Sequence, residues 1–261
     1  MLVFVSIIWY NEVHFRIVPP YTFGEVAGQN AIEADTLVSL PRNNEVASLL
    51  FSHRCSKHLH TERGILVSPQ DVRATLIART ITVIANEGLD KTTTKAIVAG
   101  TGINEAYIYR YFSGKEDLMS KTFDFLDNEL VEQALKYLPV MYEADVDYEQ
   151  RCRNYFFPIW RFLLGNREKC LAFVRYYYSP YYHKLSAEIS RRRYDLLVTA
   201  FSEAFLEEAE VWLILTHILN VMLDFAVKVH NGQMPEDDAY SEHVFRVVYA
   251  SIKQYFKTNR E

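Results

Sequence analysis

The chain has 261 residues, of which 49% are hydrophobic and 23% are charged, with a formal net charge of −5. This length is sufficient for one large domain or two small ones, and the mild charge excludes a disordered polyelectrolyte. Nine glycines and eight prolines are too few for a collagen-like or low-complexity protein.

The cysteine and hydropathy patterns predict a cytoplasmic protein. Cys55, Cys152 and Cys170 are an odd number without a CxxC pair, which argues against a disulfide framework and favours a reducing compartment. The longest apolar runs fall short of the ~20 residues that a membrane span needs. The apolar first ten residues lack a basic start and a small-residue cleavage site, so we expect neither a secretory signal nor a membrane partner.

Residues 1–67 are predicted to be a mostly irregular N-terminal extension. They include Pro19-Pro20 and Pro41, and no apolar period of 3.6 residues persists for more than two turns. We expect this segment to dock weakly, or to be absent from the native product if translation starts downstream. The alternative is a flexible arm that reaches DNA with its basic residues, Arg54, Lys57 and Arg63.

The same extension carries four side chains of types that bind metals: His53, Cys55, His58 and His60. Zinc accepts such ligands. Their spacing matches no family of zinc sites, and an irregular segment offers no preformed geometry. We therefore predict no metal site and no cofactor.

Helical periodicity begins at Ser68 and continues almost to the end of the chain. Ser68 and Pro69 are typical of a helix start, and Gly88 is typical of the end of that helix. A long helix opens at the capping box Ser113-Gly114-Lys115-Glu116 and ends near Leu138. Five more helices are predicted near residues 146–165, 167–179, 181–206, 208–231 and 237–258.

Between the first and the long helix, two short helices form a predicted helix-turn-helix. The first runs from Thr92 or Thr93 to Ala99, Gly100-Thr101-Gly102 turns the chain, and Asn104 caps a second helix through Tyr111. The N-terminus of that second helix presents unpaired N–H groups and a positive dipole end, which suit phosphate. The predicted fold class is all-α: an extension (1–67), a helix-turn-helix domain (68–118) and a further helical domain (119–261).

Residues 77–118 resemble the DNA-binding domain of TetR-type transcriptional regulators. The shared features are the glycine after the first helix, the threonine-capped second helix, the glycine turn, the Tyr-x-Tyr-Phe ending at Tyr109 to Phe112, and the Lys-Glu pair at Lys115. Three positions depart from the family pattern, which often has Ala, Ser and Gly there: Gly100, Asn104 and Ala106. All three are small or capping residues. The resemblance implies that residues 119–261 form an effector and dimerisation domain.

The resemblance implies that nine residues contact double-stranded DNA: Thr94, Asn104, Glu105, Ala106, Tyr107, Tyr109, Arg110, Tyr111 and Lys115. Lys115 matches a lysine that meets phosphate in the family, and Arg110 is suited to guanine. The alternative for Tyr111 is packing between helices. The alternative for Glu105 is a carboxylate that complements the helix dipole without touching a base.

An aromatic concentration in the predicted effector domain favours a small-molecule effector site, because ligand pockets are apolar and aromatic with few polar groups. Four candidates for this site are Tyr155, Trp160, Phe173 and Tyr177. The alternative is that these side chains form the core. Arg175 and His183 are candidates to orient an anionic group, with a solvated position as the alternative, and Arg191-Arg192-Arg193 is interpreted as a solvated helix face.

The resemblance also implies a homodimer through the last two helices. Two apolar stripes are predicted to form that interface: Trp212, Leu215, Leu219, Met222 and Phe225 on one helix, and Val244, Val248, Ile252 and Tyr255 on the other. The predicted function is a one-component regulator, a repressor that an effector releases from a palindromic operator. The alternative is an architectural or protein-partner module with the same fold and no effector. No GxSxG, HExxH or Walker-type motif occurs, so no enzyme activity is predicted.

Overall fold

The structure is a computed structural model that describes residues 69–257, with side chains from residue 72 onward. Within that range the chain is helical and contains no β-strand, which confirms the predicted all-α class. The predicted extension, the Ser68 cap and the His/Cys group between residues 53 and 60 lie outside the described residues.

Nine α-helices make up most of the described range, and they are numbered here in chain order. Their bounds are α1 Pro69–Glu87, α2 Thr94–Val98, α3 Ala106–Tyr111, α4 Lys115–Tyr137, α5 Tyr148–Gly165, α6 Arg167–Tyr177, α7 Ala187–Phe201, α8 Val211–His230 and α9 Asp238–Ile252. Short 3₁₀ turns follow α4 and α9, at Leu138–Tyr142 and Lys253–Tyr255. A π-helical turn, Tyr182–Ser186, leads directly into α7.

Local capping signals produce the predicted helix-turn-helix. The Ala96 amide donates a hydrogen bond to Thr93 Oγ1 over 3.1 Å at the start of α2. The Ala106 amide donates to Asn104 Oδ1 over 2.9 Å at the start of α3. Gly88 ends α1 at a φ of 88°, a left-handed conformation that favours glycine. These contacts are all short-range, and so the sequence could predict them.

The start of α4 differs by one residue from the predicted capping box. Gly114 is the N-cap, and its φ of 147° requires a glycine. Because the helix begins one residue later than predicted, the acid at its third position is Asp117 and not Glu116. The Ser113 amide accordingly donates to Asp117 Oδ2 over 2.9 Å.

The helix predicted over residues 181–206 is shorter than expected. The segment after α7 pairs with the end of the described chain, where the Leu206 amide donates to the Tyr255 carbonyl over 2.8 Å. The rings of Phe205 and Phe256 stack there, with centroids 4.7 Å apart. Helical periodicity cannot reveal a pairing between segments fifty residues apart, and the prediction therefore extended the helix too far.

Two apolar cores organise the described chain, and α1 contributes to both. The smaller core joins α1, α2, α3 and the start of α4 through Val72, Leu76, Ile97, Ile108, Phe112 and Leu118. The larger core contains Ile81, Ile84 and Ala85 of α1 together with residues of α4 to α9. The helix-turn-helix is therefore built on a helix that is also part of the larger core. The domain boundary at residue 118 stays a prediction.

By length and composition alone, α8 is apolar enough to cross a membrane. Its inner face, which includes Ile214 and Met222, is buried in the helical bundle. Its C-terminal half carries the ion pair Asp224–Lys228, with an Oδ2–Nζ distance of 2.6 Å. These features are those of an amphipathic helix in a bundle.

Candidate nucleic-acid interface and effector cavity

The second helix of the helix-turn-helix, α3, is held by one face. Ile108 is completely buried and Phe112, its C-cap residue, is 4% exposed, and both belong to the smaller core. The remaining positions include Tyr107, Tyr109 and Arg110, which are all exposed, with Tyr109 at 65%. A helix that is fixed on one side and open on the other has the geometry that binding in a DNA major groove needs.

Arg110 lies against two tyrosine rings. Its guanidinium carbon is 5.9 Å from the ring centroids of both Tyr107 and Tyr111. The two rings stack on each other with centroids 6.4 Å apart. This packing orders the guanidinium that we expect to read a base. Tyr111 is half-buried, so its ring makes the packing contact given above as the alternative to DNA contact.

The other five predicted DNA-contact residues lie at or near the starts of α2, α3 and α4. Asn104 and Ala106 are exposed, whereas Thr94, Glu105 and Lys115 are half-buried. Glu105 occupies the N-cap position of α3, where a carboxylate complements the helix dipole. None of the nine predicted residues is fully buried, and their contact with DNA stays a prediction.

Arg79 stabilises the helix-turn-helix, although the sequence analysis did not single it out. Its Nη2 donates to the Ala99 carbonyl at the end of α2 over 3.2 Å. The signal was present in the spacing, because Arg79 follows Val72 and Leu76 at i, i+4 and i+7, on the apolar face of α1. An arginine on that face needs an internal partner for its charged group.

Polar contacts between α6 and α1 join the larger helical region to the helix-turn-helix. Glu168 accepts hydrogen bonds from Thr82 Oγ1 over 2.8 Å and from Asn86 Nδ2 over 2.9 Å. Arg175 Nη1 donates to the Ile84 carbonyl over 2.7 Å. The structure thus gives the Arg175 guanidinium a backbone partner, while the residue stays exposed, as the solvated alternative predicted.

The sequence predicted a solvated helix face for residues 191–193, and this prediction is wrong for Arg193. It donates hydrogen bonds to both Asp124 and Asp127 of α4. Asp127 is completely buried, and this burial raises the pKa of its carboxyl, while the charge of Arg193 opposes the rise. Arg191 and Arg192 are exposed, as predicted.

A cavity of about 100 Å³ lies in the larger core. Five helices contribute to its wall. Examples are Leu130 on α4, Phe156 on α5, Leu197 on α7, Leu219 on α8 and Val248 on α9. Tyr155, Tyr194 and Cys152 also line it. This is the space that we consider for a small molecule.

Of the four predicted effector residues, only Tyr155 lines this cavity. Trp160 is 1% exposed, and its indole N–H donates to Ser241 Oγ over 3.0 Å. Phe173 and Tyr177 stack on each other, with ring centroids 5.8 Å apart, in a separate aromatic cluster. These three side chains have the core position that the sequence analysis gave as the alternative.

Burial determines the protonation of the cavity wall. It raises the pKa of the Cys152 thiol to about 12, and it raises the pKa values of Tyr155 and Tyr194 above their ordinary value. All three groups are therefore neutral at pH 7. No charged residue is among those that line the cavity in the described range.

The apolar stripes predicted for a dimer interface face mainly into their own subunit. The following residues are buried or line the cavity: Leu215, Leu219, Met222, Val244, Val248 and Ile252. The predicted orientation was wrong for the buried members of the stripes, Met222, Val244, Val248 and Ile252, because a periodic stripe does not show whether it packs within a subunit or between two. Leu215 and Leu219 are half-buried, and the interface itself stays a prediction. Trp212 and Tyr255, at the ends of the stripes, are exposed, and so are Leu213 at 65% and Val247 at 55% on the outer sides of α8 and α9.

Known proteins share both the motif and the fold. Residues 76–121 match the family model of bacterial regulatory proteins of the tetR family. A TetR family transcription regulator from Marinobacter aquaeolei VT8 is 18% identical with a TM-score of 0.57, over 69% of this chain and 94% of that one. A comparison with curated protein sequences gave no match.

Two further solved structures agree. A TetR-family transcriptional regulator from Haemophilus influenzae Rd is 17% identical with a TM-score of 0.53, over 69% of this chain and 96% of that one. The fatty acid degradation regulator FadR from Bacillus halodurans is 18% identical with a TM-score of 0.51, over 67% and 96% of the two chains. The resemblance seen in the sequence is confirmed: residues 76–121 match the tetR family model, and the described helices share the fold of solved TetR-family regulators.

Proposed function

We propose that this protein is a one-component transcriptional repressor that binds a palindromic operator as a homodimer. Each subunit inserts α3 into the major groove, and the two helices lie about one DNA turn apart, ~34–36 Å. The observation that carries the proposal is the arrangement of α3, with Ile108 and Phe112 buried and Tyr107, Tyr109 and Arg110 exposed.

Within this interface we assign positioning and reading to different residues. The Tyr109 hydroxyl and the Lys115 ammonium are suited to phosphate, which orients a protein without selecting a sequence. Arg110, which lies against the rings of Tyr107 and Tyr111, is suited to the O6 and N7 acceptors of guanine.

The outer surfaces of α8 and α9 support the homodimer. Only 28% of the apolar stretch of α8 is buried within the subunit, although its composition favours burial. Leu213 and Val247 are the most exposed large apolar residues on these two helices. A four-helix interface, with two helices from each subunit, removes this surface from water.

The cavity in the larger core supports an effector site. A ligand that binds one arrangement of the two subunits more tightly shifts the population toward it, and an arrangement that misplaces the α3 pair lowers operator affinity. The contacts of Glu168 and Arg175 with α1 connect the helices around the larger core to the helix-turn-helix.

Selection of binding sites from random DNA duplexes tests the proposal. We expect enrichment of an inverted repeat. Tyr109→Phe and Lys115→Gln are expected to weaken binding to all duplexes alike. Arg110→Gln is expected to lower the discrimination between bases at one base-pair position, by about 1–3 kcal/mol of binding free energy. Lys136→Gln makes the same charge change at an exposed lysine in the last turn of α4 and serves as the control. Failure to enrich any sequence, or equal binding by all four variants, contradicts the proposal.

A further inference from the structure

The cavity wall is apolar around most of its surface. Its polar atoms are few, and the most informative are the Tyr155 and Tyr194 hydroxyls and the Cys152 thiol. Since burial keeps all three neutral, nothing in this wall offers a counter-ion to a charged ligand.

Three arginines next to residues of the cavity wall are already paired. Arg153 lies over the ring of Phe245 and is paired with Glu242. Arg151 donates to three backbone carbonyls, those of Met141, Ala144 and Val146. Arg193 binds Asp124 and Asp127. A carboxylate or phosphate in the cavity would therefore be buried without a partner, and burying an unpaired ion costs far more than apolar contacts return.

Three tyrosine hydroxyls in the wall lack a hydrogen bond. In the described part of the chain this holds for Tyr155, Tyr194 and Tyr249, of which Tyr155 is half-buried and Tyr194 is buried. The Tyr155 ring packs edge-on against Phe201, with centroids 5.2 Å apart. Because hydroxyls inside a protein are normally paired with protein, water or ligand, the Tyr155 hydroxyl is a hydrogen-bonding point in a mainly apolar space.

We propose that the cavity binds an uncharged, mainly apolar molecule with one hydroxyl or carbonyl group that bonds to Tyr155. Its volume of about 100 Å³ is of the order of an engineered apolar cavity of ~150 Å³ that admits benzene. The ligand is accordingly of the size of one aromatic ring or a short alkyl chain. This inference deepens the proposed effector role, and its regulatory meaning rests on that role.

Two matched pairs of probes test the charge requirement: benzyl alcohol against benzoate, and hexan-1-ol against hexanoate. Dissociation constants for the full chain at pH 7 are measured by ligand-observed NMR titration. Each alcohol is expected to bind at least tenfold more tightly than its carboxylate. Equal or tighter binding of the carboxylates, or no binding of either alcohol, overturns the proposal.

Variants locate the binding site. Ala134 borders the cavity, and Ala134→Leu fills space there, so that alcohol binding is expected to be lost. Tyr155→Phe keeps the ring and removes the hydroxyl. It is expected to weaken the binding of benzyl alcohol several-fold and to leave the binding of toluene unchanged. Tyr255→Phe, at an exposed tyrosine outside the cavity, is the control. If both cavity variants bind benzyl alcohol like the wild type, the ligand lies elsewhere and the proposal fails.

These titrations contain no DNA, so they are independent of the proposed function. Alcohol binding without operator binding supports the proposed cavity ligand and contradicts the proposed regulator function. Operator binding without alcohol binding retains the regulator and removes the cavity inference.

Discussion

The guanidinium of Arg175 on α6 is hydrogen-bonded to the carbonyl of Ile84 on α1 over 2.7 Å. The same carbonyl accepts the Gly88 amide over 3.1 Å, so that it has one partner from its own helix and one from α6. This places a contact between the larger helical region and the helix-turn-helix at the last turn of α1, where a cation also complements the helix dipole.

Replacing this arginine is expected to loosen α1. Arg175→Met keeps the aliphatic stem and removes the donor, and we expect the free energy of unfolding in urea to fall by about 1 kcal/mol. Arg167→Met is the matched control on the same helix, because Arg167 is exposed and its contact with Asn86 Oδ1 is long, at 3.4 Å. Equal losses in the two variants would show that the Ile84 contact has no special weight.

Arg193 and Asp127 are expected to depend on each other. Arg193→Met leaves Asp127 without its counter-ion in the core, and we expect a loss of about 3 kcal/mol. Asp127→Asn removes the buried charge, so the double variant should recover most of that loss. A double-mutant cycle of unfolding free energies measures the coupling, and additive single effects contradict it.

The pH dependence of Arg193→Met has a defined sign. Burial raises the folded-state pKa of Asp127 above its ordinary value of 3.8, and loss of Arg193 raises it further. The folded chain then binds a proton before the unfolded chain does, and acidification therefore stabilises the fold at this site. We expect the difference in unfolding free energy between Arg193→Met and the wild type to become smaller as the pH falls from 7 to 5. A difference that grows would show that the buried Asp127 charge is not the cause of the loss.

At Glu242, in contrast to Asp127, acidification is expected to destabilise the fold. Its bonds with Arg153 and Arg246 lower the folded-state pKa from 4.5 to about 2. Its stabilisation is therefore fully present above pH 4.5 and is lost as the pH falls toward 2. Because the group is partly solvated, we expect Glu242→Gln to cost only about 1 kcal/mol at pH 7.

Urea unfolding of Glu242→Gln at pH 7 and pH 3 gives the comparison. The control is Glu188→Gln, which breaks a fully exposed pair with Arg192, and its effect is expected to stay within about 0.5 kcal/mol. A Glu242→Gln difference that is independent of pH would show that the carboxylate charge does not stabilise the fold.

Charges on the outer sides of α8 and α9 are expected to separate the proposed dimer. Leu213→Glu and Val247→Glu place a carboxylate at exposed positions, and both should sediment as folded monomers with little operator affinity. Leu196→Glu is the control, since Leu196 is 61% exposed on α7. A monomeric wild type at micromolar concentration, or dimers in both variants, contradicts the interface.

Much of the helix-turn-helix could be predicted from the sequence, because its signals act over a few residues. Thr93 and Asn104 cap helices through their own side chains, and Gly88 adopts a conformation that other residues avoid. The all-α class and the buried face of α1 follow from the same short-range pattern.

Tertiary structure decided the partners of those helices. An apolar stripe such as Leu215–Leu219 reports that a face is buried, but the same stripe suits the core of one subunit and the interface of two. The choice among four aromatic residues, of which Tyr155 alone lines the cavity, has the same origin. Arg193 looked solvated within its own helix and is paired with acids more than sixty residues away. Sequence periodicity records how strongly a face avoids water, whereas the packing of distant helices determines what covers it.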